Sequence, residues 1–220
     1  MPAASVRVYT VDLDLRSDGM ERLDALMPPA ERDVAPARRV ARAATRVVLA
    51  RELGVAPGAI AISRRCEHCG DPAHGRPTLA GGAGPVFSVS HSGARALVAV
   101  TDEARLGVDV EQLRPRTRLD ALAARVMDDA EHDAWLAIEG DEARLHAFLE
   151  AWTAKEAYLK AVGIGIATRL RSVDPCPPGW CSCVLDAGEG YVATLAVQAA
   201  DVRVVPCAFS FATTSDGTAG

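Results

Sequence analysis

No stretch of this 220-residue chain stays apolar for long enough to span a bilayer. Its opening, MPAASVRVYTVDLDL, has no basic segment leading into an apolar one. A membrane protein and a cleavable secretion signal are both set aside, and a soluble, cytoplasmic chain with no membrane partner is expected. An excess of positive charge is missing too. With 24 Lys and Arg against 29 Asp and Glu, the formal net charge is −5, which argues against a nucleic-acid partner. The basic residues are gathered instead between Arg32 and Arg65, a local patch suited to a phosphorylated ligand. There is no close internal repeat, and no G-x-S-x-G elbow of the kind that presents a hydrolase nucleophile. What the chain does have is a globular balance, 49% hydrophobic and 24% charged residues. Its length suits one large domain or two small, closely packed ones.

The cysteine pattern leaves a metal or redox role open beside a plain turn. RRCEHCGDPAHGRP holds Cys66, His68, Cys69 and His74, and Cys176, Cys181 and Cys183 form a second group far downstream. A CxxC pair is half of a zinc site, and closed tetrahedral coordination needs four ligands. The stretch reads as a turn with reduced thiols, and no disulfide is expected in the cytoplasm.

Strands and helices alternate along the chain. VRVYTVDL at 6–13 reads as a strand from its β-branched alternation. Residues 37–53 read as a helix entered after Pro36 and ended at Gly54. Strands are expected at 59–63, 86–90, 96–101 and 106–111. Asp128 and Glu131 have the spacing of a capping box, and a longer helix over 141–161 ends at Gly163. The tail offers strand candidates at 169–173, 181–186, 190–199 and 203–212. Strands, helix, strands thus recurs in each half, which predicts an α+β fold made of two similar α+β subdomains. The boundary falls between residues 1–104 and 105–220.

Three segments carry chemistry. In GVDVE (107–111), Asp109 and Glu111 project from the same face of a strand while Val108 and Val110 face the other way. Paired hard carboxylates of this kind suit a divalent cation such as Mg²⁺. In WTAKEAYLK (152–160), Trp152, Glu156 and Lys160 lie at i, i+4 and i+8 along one helix face, with Lys155 beside Glu156. Glu156 is then a candidate metal ligand or general base, although Glu at i with Lys at i+4 is also an ordinary exposed helix pair. In FSVSHSG (87–93), a strand runs into a Ser-His-Ser-Gly turn whose hydroxyls, imidazole and amides can cradle phosphate.

Together with GRP at 75–77, these segments occur in the order shown by one enzyme family, and the chain resembles the Sfp-type 4′-phosphopantetheinyl transferases. The resemblance covers most of the chain outside its termini. It implies a pseudo-twofold pair of α+β halves with a ligand cleft between them, in a monomer. It also implies transfer of the phosphopantetheine arm of coenzyme A to a serine of an apo acyl or peptidyl carrier protein, with release of adenosine 3′,5′-bisphosphate. Such carriers serve fatty-acid, polyketide or nonribosomal peptide synthesis. By the same resemblance Asp109, Glu111 and Glu156 would hold Mg²⁺, or Mn²⁺ in its place, against the coenzyme's pyrophosphate. Glu156 would be the general base, and Lys160 would stabilise the departing phosphate. Arg42, Arg76, Ser90, His91 and Lys155 would contact coenzyme A, His91 near its 3′-phosphate, and either Arg38 or Arg39 would add a phosphate contact. The alternatives are a coenzyme A or carrier-binding module of the same fold without chemistry, and a Mg²⁺-dependent pyrophosphate hydrolase.

Overall fold

The computed structural model describes residues 3–14, 23–64, 75–164 and 170–211. The CEHC stretch and His74 lie outside the described residues, and the reading made for them goes no further.

Two sheets and two long helices form the frame. β1 (Ala3–Asp12) is flanked in the first sheet by β5 (Arg95–Thr101) and β9 (Asp201–Cys207), with β4 (Val86–Ser92) beyond β5. β1 and β5 run antiparallel with Val8 opposite Ala99, whereas β1 and β9 run parallel with Val6 opposite Val204. The second sheet has the order β6 (Leu106–Gln112), β8 (Tyr191–Val197), β7 (Cys181–Val184). A separate two-stranded ribbon joins β2 (Ile62–Ser63) to β3 (Thr78–Leu79).

Alternation along each strand decides how these pieces stack. On one face of the first sheet, Val11, Phe87, Val98 and Val100 pack with Val40, Ala44 and Val48 of α1 (Pro36–Leu53). Val6, Val8, Leu97 and Ala99 on the opposite face pack with Val108, Val110 and Leu195 of the second sheet. The outer side of that second sheet takes α4 (Asp141–Val162), joined to β8 by the Thr153–Thr194 hydroxyl pair at 2.8 Å. The order of layers is helix, sheet, sheet, helix, and the class is α+β as the alternating pattern predicts. Two short helices, α2 (Leu119–Val126) and α3 (Asp129–Leu136), pack on α4 through Val126, Trp135 and Phe148.

Local signals placed the helix ends well. Pro36 starts α1 and Gly54, at φ 65°, ends it by donating to Ala50 O and Arg51 O. Asp128 and Glu131 form the expected reciprocal capping box at the start of α3. Three local expectations change. Residues 57–59 form a 3₁₀ turn at the Pro57-Gly58 pair, leaving only Ile62–Ser63 extended. Leu170–Ser172 is also a 3₁₀ turn, because Leu170 is drawn into the α2–α4 core rather than beside a strand. The Ser-His-Ser segment is not a turn: β4 continues through Ser92, and Gly93, at φ 56°, makes the reversal. β9 returns to pair with β1, so the first sheet draws on both ends of the described chain. None of the described helices is long and apolar enough to cross a membrane.

Candidate active site

β6 turns Val108 and Val110 into the core between the sheets, so Asp109 and Glu111 face the opposite way. α4 lies unusually close on that side. A Cβ placed on Gly107 would stand 2.0 Å from Ala157 O and 2.6 Å from Ala161 N, both main-chain atoms. Only glycine allows this approach, and it delivers Lys160. The Lys160 ammonium donates to Asp109 Oδ1 at 2.6 Å, Ser90 Oγ at 2.8 Å and Val108 O at 3.2 Å. Glu156 lies one turn earlier on the same face of α4.

β4 and β6 belong to different sheets, and three serines stitch them together. Phe87 and Val89 turn toward α1, which leaves Ser88, Ser90 and Ser92 facing β6. Ser88 Oγ accepts from Val108 N at 3.1 Å, and Ser92 Oγ accepts from Gln112 N at 3.1 Å. Ser90 Oγ donates to Asp109 at 2.7 Å, and Ser92 Oγ donates to Glu111 at 2.9 Å. Each acid of β6 is therefore held from the side by a hydroxyl of β4.

Burial dominates the electrostatics. It pushes the Asp109 carboxyl above its ordinary range against the pull of Lys160 and Ser90, with Glu111 adding to the rise. Glu156 is raised by burial first and by Asp109 next, with Lys160 opposing. Two oxygens in this group, Asp109 Oδ2 and Glu156 Oε1, are buried without a hydrogen-bond partner. A pair of orphaned hard carboxylate oxygens fits a divalent cation. Glu111 is engaged elsewhere, since its Oε2 takes the Arg116 guanidinium at 2.7 Å. Among the described residues no group of three or more His, Cys, Asp or Glu side chains is placed to hold a metal ion.

The remaining candidates fall in three places. Arg76 comes to the site from the GRP loop, donating to Ala161 O at 3.0 Å beside Lys160. His91 is exposed and, by strand alternation, faces away from Ser90 on the α1 side of β4. On α1, Arg42 donates to Glu31 O at 3.0 Å, and buried Arg46 pairs with Glu31 at 2.7 Å and donates to Ile60 O. Arg39 is tied to Arg32 O, whereas Arg38 is exposed. Arg64, which motif reasoning passed over, joins this group: burial, then Arg42, Arg46 and Arg38, lowers its guanidinium below the usual range against the opposing pull of Glu31. Such an accumulation of positive charge suits an anionic ligand.

Lys155 is a correction. Expected to contact coenzyme A, it is buried, and its ammonium donates to Val126 O at 2.8 Å and Glu131 Oε2 at 2.6 Å. The same glutamate closes the α3 capping box, so Lys155 anchors α3 to α4. Lys155→Met should lower unfolding stability by about 2 kcal/mol, as expected for stranding a carbonyl and a partly exposed carboxylate. Its KM for coenzyme A should not change. A urea midpoint left in place, with a raised KM, would return Lys155 to the ligand site.

Gly107, Arg64 and Arg116 are the contributors that the motif reading left without a role. The i, i+2, i+4 serines of SVSHS were a visible sign of a polar strand face. Nothing local marked Arg116 as the partner of Glu111.

Comparison with known proteins bears on residues 105–204, which match the model of the 4′-phosphopantetheinyl transferase superfamily. A 4′-phosphopantetheinyl transferase, HetI, of Nostoc sp. (strain PCC 7120) is 33% identical over 169 residues, covering 71% of this chain and 68% of its own length. AcpT of Salmonella typhimurium, of the same named activity, is 36% identical over 166 residues, covering 74% and 79%. AcpT of Escherichia coli K12 is 34% identical over 152 residues, covering 68% and 72%.

Proposed function

The chain belongs to the 4′-phosphopantetheinyl transferase superfamily, and on that premise we propose that it transfers the phosphopantetheine arm of coenzyme A to a serine of an apo carrier protein through the site built on β6 and α4. The observation that carries the assignment of residues is the pair of orphaned buried oxygens, Asp109 Oδ2 and Glu156 Oε1, beside the Lys160 ammonium.

In this reading the carrier serine hydroxyl attacks the phosphorus that bears the pantetheine arm. The P–O bond to the adenosine bisphosphate breaks, and the serine proton passes to Glu156. A buried carboxylate whose proton affinity is raised is a better base than an exposed one. Lys160 donates to oxygen ligands already and would donate to the departing phosphate, which gains negative charge as the bond breaks. Asp109 holds Lys160 in position and, with Glu156, would hold Mg²⁺ or Mn²⁺. That ion, when bound, supplies charge neutralisation on the pyrophosphate oxygens.

The ligand cleft would follow the β4–β6 seam between the two halves. Arg76 and Phe87 line a cavity of about 150 Å³ along the GRP loop, at one side of that seam. The cation-rich end of α1, with Arg38, Arg42 and Arg64, and His91 on the same side of β4, would take the 3′-phosphate. The reading includes a cytoplasmic monomer with no membrane partner and no nucleic-acid partner, the last supported by the formal charge of −5. Its acceptors would be carriers of fatty-acid, polyketide or nonribosomal peptide synthesis.

The test is direct. Incubated with coenzyme A, Mg²⁺ and a panel of apo carrier proteins, the protein should add the mass of one phosphopantetheine arm to at least one carrier serine. An unmodified panel at every Mg²⁺ concentration would overturn the reading.

A further inference from the structure

We propose that Arg116 is a positioning residue that, by pairing with Glu111, sets how tightly this protein binds a divalent cation. The inference rests on the reading of Asp109 and Glu156 as cation ligands.

Three observations carry it. The first is that Glu111 is paired with a guanidinium, whereas Asp109 is paired with the Lys160 ammonium. Glu111 Oε2 receives both Arg116 at 2.7 Å and the Ser92 hydroxyl at 2.9 Å, while Asp109 and Glu156 each keep a buried oxygen with no partner. The second is reach. Glu111 shares a strand face with Asp109, and its charge is felt at both Asp109 and Glu156. The third is how firmly Arg116 is presented. Its loop is fixed at one end by Leu113 N donating to Gly190 O at 2.8 Å and at the other by Leu122 N donating to Arg118 O at 3.1 Å. Between those ends, Pro115 restricts the backbone, and Arg118 takes a left-handed conformation, φ 61°, that a non-glycine residue adopts only when its surroundings impose it. The ion pair is also half-buried, with side-chain exposures of 25% and 21%, so it is screened less than a surface pair.

A guanidinium and a divalent cation therefore compete for one carboxylate. The Arg116 and Ser92 contacts both fall on Oε2, so a cation taking Glu111 as a third ligand would share a carboxylate already partly neutralised, and that sharing weakens the site. Removing the guanidinium should strengthen it.

The experiment measures Mn²⁺ affinity, from the loss of the free-ion electron paramagnetic resonance signal, for four proteins: wild type, Arg116→Met, Glu111→Gln and the double variant. Arg116→Gln serves as a second neutral replacement. Arg116→Met and Arg116→Gln should bind Mn²⁺ about tenfold more tightly than wild type, the scale of one partly buried charge pair. In the Glu111→Gln background the same replacement should bring no gain, because the arginine acts through that carboxylate. An unchanged affinity in both single replacements would overturn the inference. So would an equal gain in the Glu111→Gln background, since the effect would then be loss of a positive charge near the site and nothing more. Absence of Mn²⁺ binding in all four proteins would overturn it together with the cation reading, an outcome distinct from equal binding by all four.

Discussion

Asp109→Asn should reduce carrier modification by roughly a thousandfold, the upper range for deleting one charged group from a preorganised site, while leaving the fold at least as stable as before. The two halves of this expectation have one cause. Asp109 is buried, and burial outweighs the help it receives from Lys160 and Ser90, so its carboxyl is raised above the ordinary range. A raised acid binds its proton more tightly folded than unfolded. Below the unfolded value both states are protonated and the group costs nothing. As pH rises past that value, the unfolded chain ionises more readily, and the cost to the fold grows until pH exceeds the raised folded value. Above the ordinary carboxylate range wild type carries this cost, and asparagine does not. Asparagine nevertheless keeps the carbonyl oxygen that Ser90 and Lys160 use. Transfer rates and thermal midpoints measured on the same preparations check both halves. Near-normal turnover would remove Asp109 from the mechanism, and a steep fall in thermal midpoint would instead make it a structural residue.

Gly107→Ala should damage stability and rate together. The added methyl would meet Ala157 O at 2.0 Å and Ala161 N at 2.6 Å, where ordinary contact begins at 3.4 Å. Neither obstacle is the tip of a flexible side chain, so the whole of α4 must withdraw from β6. Overpacking against main chain should cost about 3 kcal/mol, the upper part of the usual range. Withdrawal would also stretch the 2.6 Å contact between Lys160 and Asp109 and carry Glu156 away with it. A displacement near 1 Å in a catalytic group is worth about a hundredfold in rate. Denaturant midpoints and single-turnover rates would register the two losses. Unchanged values in both would mean that α4 does not need its close seat on the strand.

The sequence by itself determined a good deal. Strand alternation in GVDVE told which side chains of β6 share a face, and helical spacing put Glu156 and Lys160 on one side of α4. Pro36, Gly54, Asp128 and Glu131 marked helix ends through interactions confined to a few neighbouring residues. The family motifs then supplied a fold class and a chemistry. These signals are readable because they depend on backbone periodicity and short-range bonding, which each segment carries within itself.

What only the tertiary structure decided was the partner of each charge. Lys155 and Lys160 sit five residues apart on one helix, yet one anchors α3 and the other meets Asp109. Asp109 and Glu111 share a face, yet one keeps an unpartnered oxygen and the other is taken by Arg116. The serine seam and the return of β9 to β1 likewise join segments that lie far apart along the chain. Local pattern fixes the direction in which a side chain leaves the backbone, but the group it meets there depends on how closely two distant elements pack. That packing is settled by features such as the missing Cβ of Gly107, whose effect exists only once α4 and β6 are brought together.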